Sequence, residues 1–212
     1  MLVADFHVHT KYSYDSHTEP RKILERARKL NFNVLGITDH NTTKGAIETK
    51  KIAKDILILV GQEIATEQGD VIIFGIEENL RGDLFEIVDK ARERDALIVL
   101  PHPFDIFRNS IGKLAKDELI ELASKIHAME VFNSRCFLNK FNKKAQNFSR
   151  ENNIVGIAGS DSHILSEIGN VRNFLDCGTS EEEIFKTIKS GKIAWQGKKT
   201  CAFNFIKKFF EH

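Results

Sequence analysis

The sequence predicts an α/β protein whose strands close, or nearly close, into a parallel barrel. Three observations lead there. Seven short apolar runs recur along the 212 residues. Segments with helical spacing alternate with them, as βα units require. Histidines and carboxylates stand at the C-terminal ends of those runs, where such barrels keep their chemistry.

Leu2 to Phe6 is the first strand, and its end turns polar in Asp5-Phe6-His7-Val8-His9. Alternate side chains of a strand share a face. Asp5, His7 and His9 are therefore expected on one side, with Phe6 and Val8 on the other. Two imidazoles at that spacing can hold one metal ion, and a carboxylate one step behind can take a ring N–H and fix its tautomer. A polar loop, 10–18, carries Lys11, Tyr12, Tyr14, Asp15 and His17. Lys11, Tyr12 and Tyr14 border it as candidates for a pocket mouth. Pro20 suits a first helical turn, and Ile23, Leu24, Ala27 and Leu30 follow at helical spacing. The second strand, Val34 to Ile37, ends in Thr38-Asp39-His40-Asn41. A helix pattern runs from Thr43 to Lys54. The third strand, Ile56 to Val60, ends in Gly61-Gln62-Glu63.

A turn at Thr66 to Asp70 leads to the fourth strand, Val71 to Phe74. Leu84, Ile87, Val88 and Ala91 mark a helix before the fifth strand, Ala96 to Leu100, which ends in Pro101-His102-Pro103. Ala115, Leu119, Leu122 and Ala123 mark the next helix. The sixth strand, Ile126 to Phe132, has Glu130 and Asn133 near its end. Phe137 to Glu151 reads as helical. Ile154 to Ala158 is the seventh strand, ending in Gly159-Ser160-Asp161-Ser162-His163. Thr179 to Glu183 caps a helix through Lys189. Ile193 to Trp195 reads as a last strand, and the aromatic stretch Phe203 to Phe210 as a final element packed on the barrel, ahead of a role in membrane contact or a homo-oligomer. No repeat, low-complexity tract or linker divides the chain, so residues 1–212 read as one domain.

The net charge is +1, with both signs spread along the chain. That argues against a protein that grips a nucleic-acid backbone mainly by electrostatics. Cys136, Cys177 and Cys201 are far apart and form no Cys-x-x-Cys, which suggests a reducing compartment and no thiolate site. The N-terminus lacks the charged region of a signal peptide, and no apolar run has the length of a membrane span. A cytoplasmic protein without membrane contact is expected.

The strand-end residues are His7, His9, Asp15, His40, Glu63, His102, Glu130, Asp161 and His163, five of the eight histidines among them. Each has an ordinary reading alone. A strand-end histidine is usually just hydrogen-bonded, Asp161 could cap a helix, Glu130 could pair with a base, and Asp15 could be a solvated loop residue. Gathered at one rim, so many polar groups are costly to bury without partners. Metal ions supply the partners. Imidazole and carboxylate donors without sulfur suit Zn, Mn, Fe or Ni better than Ca or Mg. The set exceeds the need of one ion, so two or three are expected. Clustered ions lower the pKa of a bound water and clamp phosphoryl oxygens, the chemistry of a metal phosphoesterase.

With these motifs the chain resembles the PHP family, the polymerase and histidinol phosphatase metal-dependent phosphoesterases. The matching stretches are Asp5-Phe6-His7-Val8-His9, Tyr14-Asp15-Ser16, Thr38-Asp39-His40-Asn41, Gly61-Gln62-Glu63, Pro101-His102-Pro103, Glu130-Val131-Phe132-Asn133 and Gly159-Ser160-Asp161-Ser162-His163. They keep the family's order over nearly the whole chain. The resemblance implies a distorted (β/α)7 barrel with the metal site at the C-terminal ends of the strands. It also implies that His7, His9 and Asp161 hold one ion, that Glu63 bridges it to a second bound by His102, and that Asp15, His40 and His163 gather round a third. One departure stands out. Many members carry a further histidine on the strand after the bridging glutamate, near Ile72 here, and this chain has none. Water, Glu130 or a phosphate oxygen could complete that second site. Asp70 is a remoter candidate, read first as a turn acid.

Arginine is the usual phosphate contact, and Arg108, Arg135 and Arg172 lie after strand ends. His17 and His127 read as ordinary histidines. The leading expectation is a stand-alone hydrolase of a phosphate monoester, a small phosphorylated metabolite or nucleotide. A metal-bound hydroxide would attack phosphorus at a centre of two or three Zn, Mn or Fe ions, with Asp161, His163 and His40 in catalysis. Ranked below it are a 3′–5′ exonuclease or nucleic-acid-end phosphoesterase, and a PHP-like subunit without catalysis. A small phosphorylated substrate is the expected partner, nucleic acid a lesser one.

Overall fold

The computed structural model describes residues 1–201, so the expectation for Phe203 to Phe210 lies outside the described residues. Among the described residues, nine strands form one sheet: β1 (Leu2–Val8), β2 (Val34–Ile37), β3 (Leu57–Ala65), β4 (Asp70–Phe74), β5 (Leu97–Leu100), β6 (Ala128–Asn133), β7 (Val155–Gly159), β8 (Val171–Leu175) and β9 (Ile193–Gly197). Six α-helices accompany them: α1 (Pro20–Lys29), α2 (Lys44–Ile52), α3 (Leu84–Glu93), α4 (Lys116–Lys125), α5 (Asn139–Glu151) and α6 (Glu181–Lys189). The spatial order is β7-β6-β5-β4-β3-β2-β1-β8-β9.

The protein is a mixed α/β fold with a nearly closed, barrel-like sheet. All seven expected strands are present, but they do not form seven parallel βα units. β1, β2 and β3 are parallel, as are β5, β6 and β7. β4 runs antiparallel to both β3 and β5, because only the short turn at Thr66–Gly69 joins it to β3 and no helix crosses back. The strand β8, unforeseen in the sequence, pairs antiparallel with β1 and β9.

The apolar residues sort into layers. α1 and α2 bury Ile23, Leu24, Ala27 and Ala46 against the outer face of β1 to β3. α3 and α4 cover the far side of the sheet with Leu84, Ile87, Val88 and Leu122. The interior is filled by Phe6, Leu59, Ile72, Phe74, Leu97, Val99 and Ile157. α6 adds Ile184, Phe185 and Ile188 to this cluster beside Leu2 and Val34. Those two begin their strands, so α6 stoppers the end opposite the strand C-termini.

Two side-by-side devices close the seam between β7 and the β1–β8 pair. Val8 and Ser162 form a parallel bridge. Asn173, fully buried, accepts from the Ala158 N–H (3.0 Å) and donates to the Ala158 (2.8 Å) and Ala4 (3.3 Å) carbonyls.

Candidate metal centre

The first strand delivers its histidines through an irregularity. The β1–β2 register slips between Asp5 and Val8. Phe6 therefore joins the interior cluster while Val8 joins the outer one, and the simple alternation expected of this strand fails, as a bulge dictates. Asp5 does not take the N–H of a ligating ring. It accepts from the backbone N–H groups of Ser160 (3.1 Å) and His7 (3.4 Å), and burial lifts its pKa to about 7.

Glu130 does what Asp5 was expected to do. Its Oε1 takes the His7 Nδ1–H at 2.7 Å, and its Oε2 takes the His102 N–H (2.9 Å) and Asn133 Nδ2–H (2.8 Å). Both oxygens are committed, so Glu130 stands behind the converging groups rather than among them. His9 is held in a similar way. Its Nδ1–H donates to Ser13 Oγ (2.9 Å), whose hydroxyl donates to Asp39 Oδ1 (2.8 Å).

With both Nδ1 atoms acting as donors, each neutral ring has its lone pair on Nε2. The two Nε2 atoms lie 3.0 Å apart. Glu63 Oε2 is 3.3 Å from each, and Asp161 Oδ1 is 3.7 Å from His7 Nε2 and 3.5 Å from His9 Nε2. That Asp161 oxygen is buried with no hydrogen-bond partner. Four such atoms meeting in a buried site are held together by a proton on a ring or, once that is lost, by a cation between them. The donor set, two imidazole nitrogens and two carboxylate oxygens, fits a divalent transition metal.

The charges answer to the same crowding. Burial opposes a proton on His7, yet Glu130, Asp161 and Glu63 together hold its pKa well above the usual value. Burial and the neighbouring His163 and His40 hold His9 well below it. Burial would raise the pKa values of Glu63 and Asp161, but the cations around them keep both well below the carboxylate range: His7 and His40 for Glu63, Arg108 and His7 for Asp161.

Two further groups extend the centre. His40 Nδ1 lies 3.2 Å from Glu63 Oε2, and Asp15 spans His40 Nε2 (3.4 Å) and His163 Nε2 (2.9 Å). His102 Nε2 lies 2.8 Å from Glu63 Oε1. Three sets bring their donor atoms within 4.8 Å of one another: His7, His9 and Glu63; His9, His40 and His163; Glu63, Asp70 and His102. Among the described residues, six other than glycine have left-handed backbone. Asn31, Asp95 and Asn153 follow helix ends, where that conformation is routine. Asn41, His102 and Asp161 do so at strand ends beside the centre, where the surrounding hydrogen bonds hold a conformation that costs some energy.

A cavity of about 660 Å³ opens over these groups, lined by Asp15, His40, Asp70, His102, Arg108 and His163 among others. Arg108 NH1 reaches Asp161 Oδ2 at 2.6 Å, and Arg135 NH1 pairs with buried Glu167 at 3.2 Å; both arginines line the cavity. Arg172 does not. Its guanidinium donates to the Leu30 carbonyl and lies over the Phe32 ring, because β8 faces α1 there. Lys11 and Tyr12 also turn away, to Glu19 and Glu48, and of the three candidates for the pocket mouth only Tyr14 lines the cavity. His127 accepts from the Ile98 N–H, and burial with Lys189 and Arg92 lowers its pKa to about 4. His17 is exposed.

The sequence family described as PHP-associated matches residues 139–193. The uncharacterized protein MJ1587 of Methanocaldococcus jannaschii is 36% identical over 147 residues, 63% of this chain and 82% of that protein. In structure, the chain is similar to a two-domain protein from Bacteroides vulgatus containing a predicted PHP-like metal-dependent phosphoesterase. The TM-score is 0.79 at 18% identity, covering 99% of this chain and 69% of that one. The chain belongs to the PHP family. The PHP fold here is also similar to that of Endonuclease Q, solved with a 27-mer duplex substrate carrying an abasic lesion at the active site. That match has a TM-score of 0.66 and 18% identity over 89% of this chain and 56% of that one.

Several supporting residues of this PHP site escaped the sequence reading. Asp39 accepts from Thr10 N and Oγ1 (both 2.7 Å) as well as Ser13. Glu167 accepts from the His163 N–H (2.9 Å) and Arg135. Asp39 sits beside His40, so its motif was a signal. Nothing in the sequence points to Glu167, which reaches the site from a 3₁₀ turn (Leu165–Glu167) before β8. Among the described residues, no helix is long and apolar enough to cross a membrane.

Proposed function

We propose that the protein hydrolyses a phosphate monoester, a small phosphorylated metabolite or nucleotide, at a centre of two or three divalent ions. The observation that carries this reading is the meeting of His7 Nε2, His9 Nε2, Glu63 Oε2 and Asp161 Oδ1 beneath a cavity that two arginines line. His7, His9, Glu63 and Asp161 hold the first ion, His102 with Glu63 the second, and Asp15, His40 and His163 a third. Ions bound there lower the pKa of a water into the neutral range and neutralise phosphoryl charge.

The chain's own groups do the rest. Arg108 lines the cavity while its NH1 holds Asp161 Oδ2, and the rest of its guanidinium offers a charged contact to phosphoryl oxygens. Arg135 stays anchored on Glu167 and adds positive charge to the wall. With two ions bound, His40 and His163 deliver a proton to the leaving oxygen, and Asp15 between them holds the rings in place. Glu130 and Ser13 fix the tautomers of His7 and His9.

A second reading, a nucleic-acid end as substrate, has its own support. Tyr14, Phe107 and Phe137 line the cavity while 83%, 65% and 60% exposed. Tyr14 stacks on His40 with centroids 4.9 Å apart, and Phe107 meets Phe137 edge-on. Exposed aromatics at a phosphate pocket are platforms for bases. A preference for an oligonucleotide end over a free mononucleotide, lost in Phe107→Ala with turnover of the mononucleotide unchanged, would select this reading.

The decisive test is turnover of an aryl phosphate under added Mn, Zn, Fe or Mg, paired with elemental analysis. Two or three equivalents and metal-dependent turnover are expected. His7→Ala and Asp161→Ala should each lower kcat/KM by at least about a hundredfold while remaining folded. Full activity in metal-replete variants would overturn the proposal. No turnover in any metal form, with a partner copurifying in stoichiometric amount, would instead mark a subunit without catalysis.

A further inference from the structure

The histidine that many PHP chains carry after the bridging glutamate is absent here, and the structure brings a different side chain to that place. In the β3–β4 hairpin, Glu63 pairs with Ile72 and Ala65 with Asp70. Residues two apart on a strand share a face, so Asp70, Ile72 and Phe74 all look into the barrel. Ile72 and Phe74 are interior core. Asp70 is one pleat nearer the rim, diagonal to Glu63 and within its reach.

Asp70 is not the turn acid that its sequence position suggests. Thr66 makes the turn: its hydroxyl donates to the Gly69 carbonyl (2.6 Å) and accepts from the N–H groups of Gln68 (3.2 Å) and Gly69 (3.1 Å). Asp70 is the first residue of β4 and only 8% exposed. Asn109 clamps it on two sides. Asn109 Nδ2 donates to Asp70 Oδ1 at 2.7 Å, and the Asp70 N–H donates to the Asn109 carbonyl at 2.9 Å. Pinning Oδ1 leaves Oδ2 facing the centre, 4.0 Å from His102 Nε2. Two carboxylates, Asp70 and Glu63, thus share a buried corner with one imidazole, an arrangement that repels itself without a cation.

We propose that Asp70 is a ligand of the second ion, completing with Glu63 and His102 the site whose usual second histidine is missing. This rests on the metal-centre reading above. Its consequence is chemical. The site offers two carboxylate oxygens and one nitrogen, a harder set than the one built on His7 and His9. It should therefore favour Mn²⁺ over Zn²⁺ more than the first site does.

The test is Mn²⁺ and Zn²⁺ titration of the apo protein, read by Mn²⁺ electron paramagnetic resonance and by elemental analysis after gel filtration. Wild type should bind at least two equivalents. Asp70→Asn keeps the size and the Asn109 contact; it should weaken one Mn²⁺ equivalent at least about tenfold and leave the tighter one unchanged. Asp70→His should restore the equivalent and shift its preference toward Zn²⁺ at least about tenfold. Unchanged stoichiometry and affinity in Asp70→Asn, beside a wild type that binds two, would overturn the role of Asp70 and leave the metal centre standing. A wild type that binds fewer than two ions would overturn both.

Discussion

The sequence offers Glu130 as a group that could complete the second metal site, and its neighbours give it another part. One oxygen orients His7 and the other ties His102 and Asn133, so this carboxylate sets the geometry of two strand ends at once. A carboxylate behind a ligating imidazole raises the ring's basicity and fixes its rotation. Glu130→Gln keeps the shape and removes the charge. It should weaken the tightest metal equivalent by about 10–100-fold, with little change in the thermal midpoint of the apo protein. Isothermal titration of the apo variant checks this; unchanged affinity would make Glu130 a bystander. From sequence, Glu130 and Asp5 are interchangeable strand-end acids. What separates them is the bulge in β1, which turns Asp5 to the backbone of Ser160.

At the scale of the element, the strand ends work because the strands stop being regular there. β1 slips register between Asp5 and Val8, and β6 slips between Glu130 and Phe132. β7 ends in Gly159, and the reason is close approach. A Cβ on Gly159 would collide with Glu130 Oε1 and stand 2.9 Å from His7 Cβ. The third strand thus leaves the volume in which the other two meet. Gly159→Ala should cost about 1–3 kcal/mol of stability by overpacking, and should weaken metal binding as Glu130 is pushed off His7. Urea unfolding and metal titration on the same variant measure both. A stability loss with metal affinity intact would show that Glu130 relaxes without releasing the ring. Apolar periodicity located the helices α1 to α6 to within a few residues, because each needs only its own buried stripe. It said nothing of the slips, which arise between strands.

At the scale of the whole molecule, the centre exists only if the sheet curls until β7 lies beside β1. His7 and His9 come from β1 and its end, Asp161 and His163 from the loop after β7, and the seam between them carries the Asn173 stitch. Asn173→Ala would strand the Ala158 N–H and the Ala158 and Ala4 carbonyls in a dry interior. The expected loss is about 2–4 kcal/mol, read as a lower urea midpoint, with added Mn²⁺ restoring part of it by binding only the closed form. Most of the candidate site was legible in the sequence: His7, His9, Asp15, His40, Glu63, His102, Asp161 and His163 all reach one centre. The α/β class was legible too, because strand and helix periods and strand-end chemistry are local properties of the chain. Two things were decided by the tertiary structure. One is the sheet's direction and count: β4 reverses and β8 and β9 extend the sheet, since strand pairing depends on connections and not on the strand's own residues. The other is the use of each acid. Asp5, Asp70 and Glu130 look alike along the chain, and only the groups that fold against them, Ser160, Asn109 and His7, fix which way each carboxylate points.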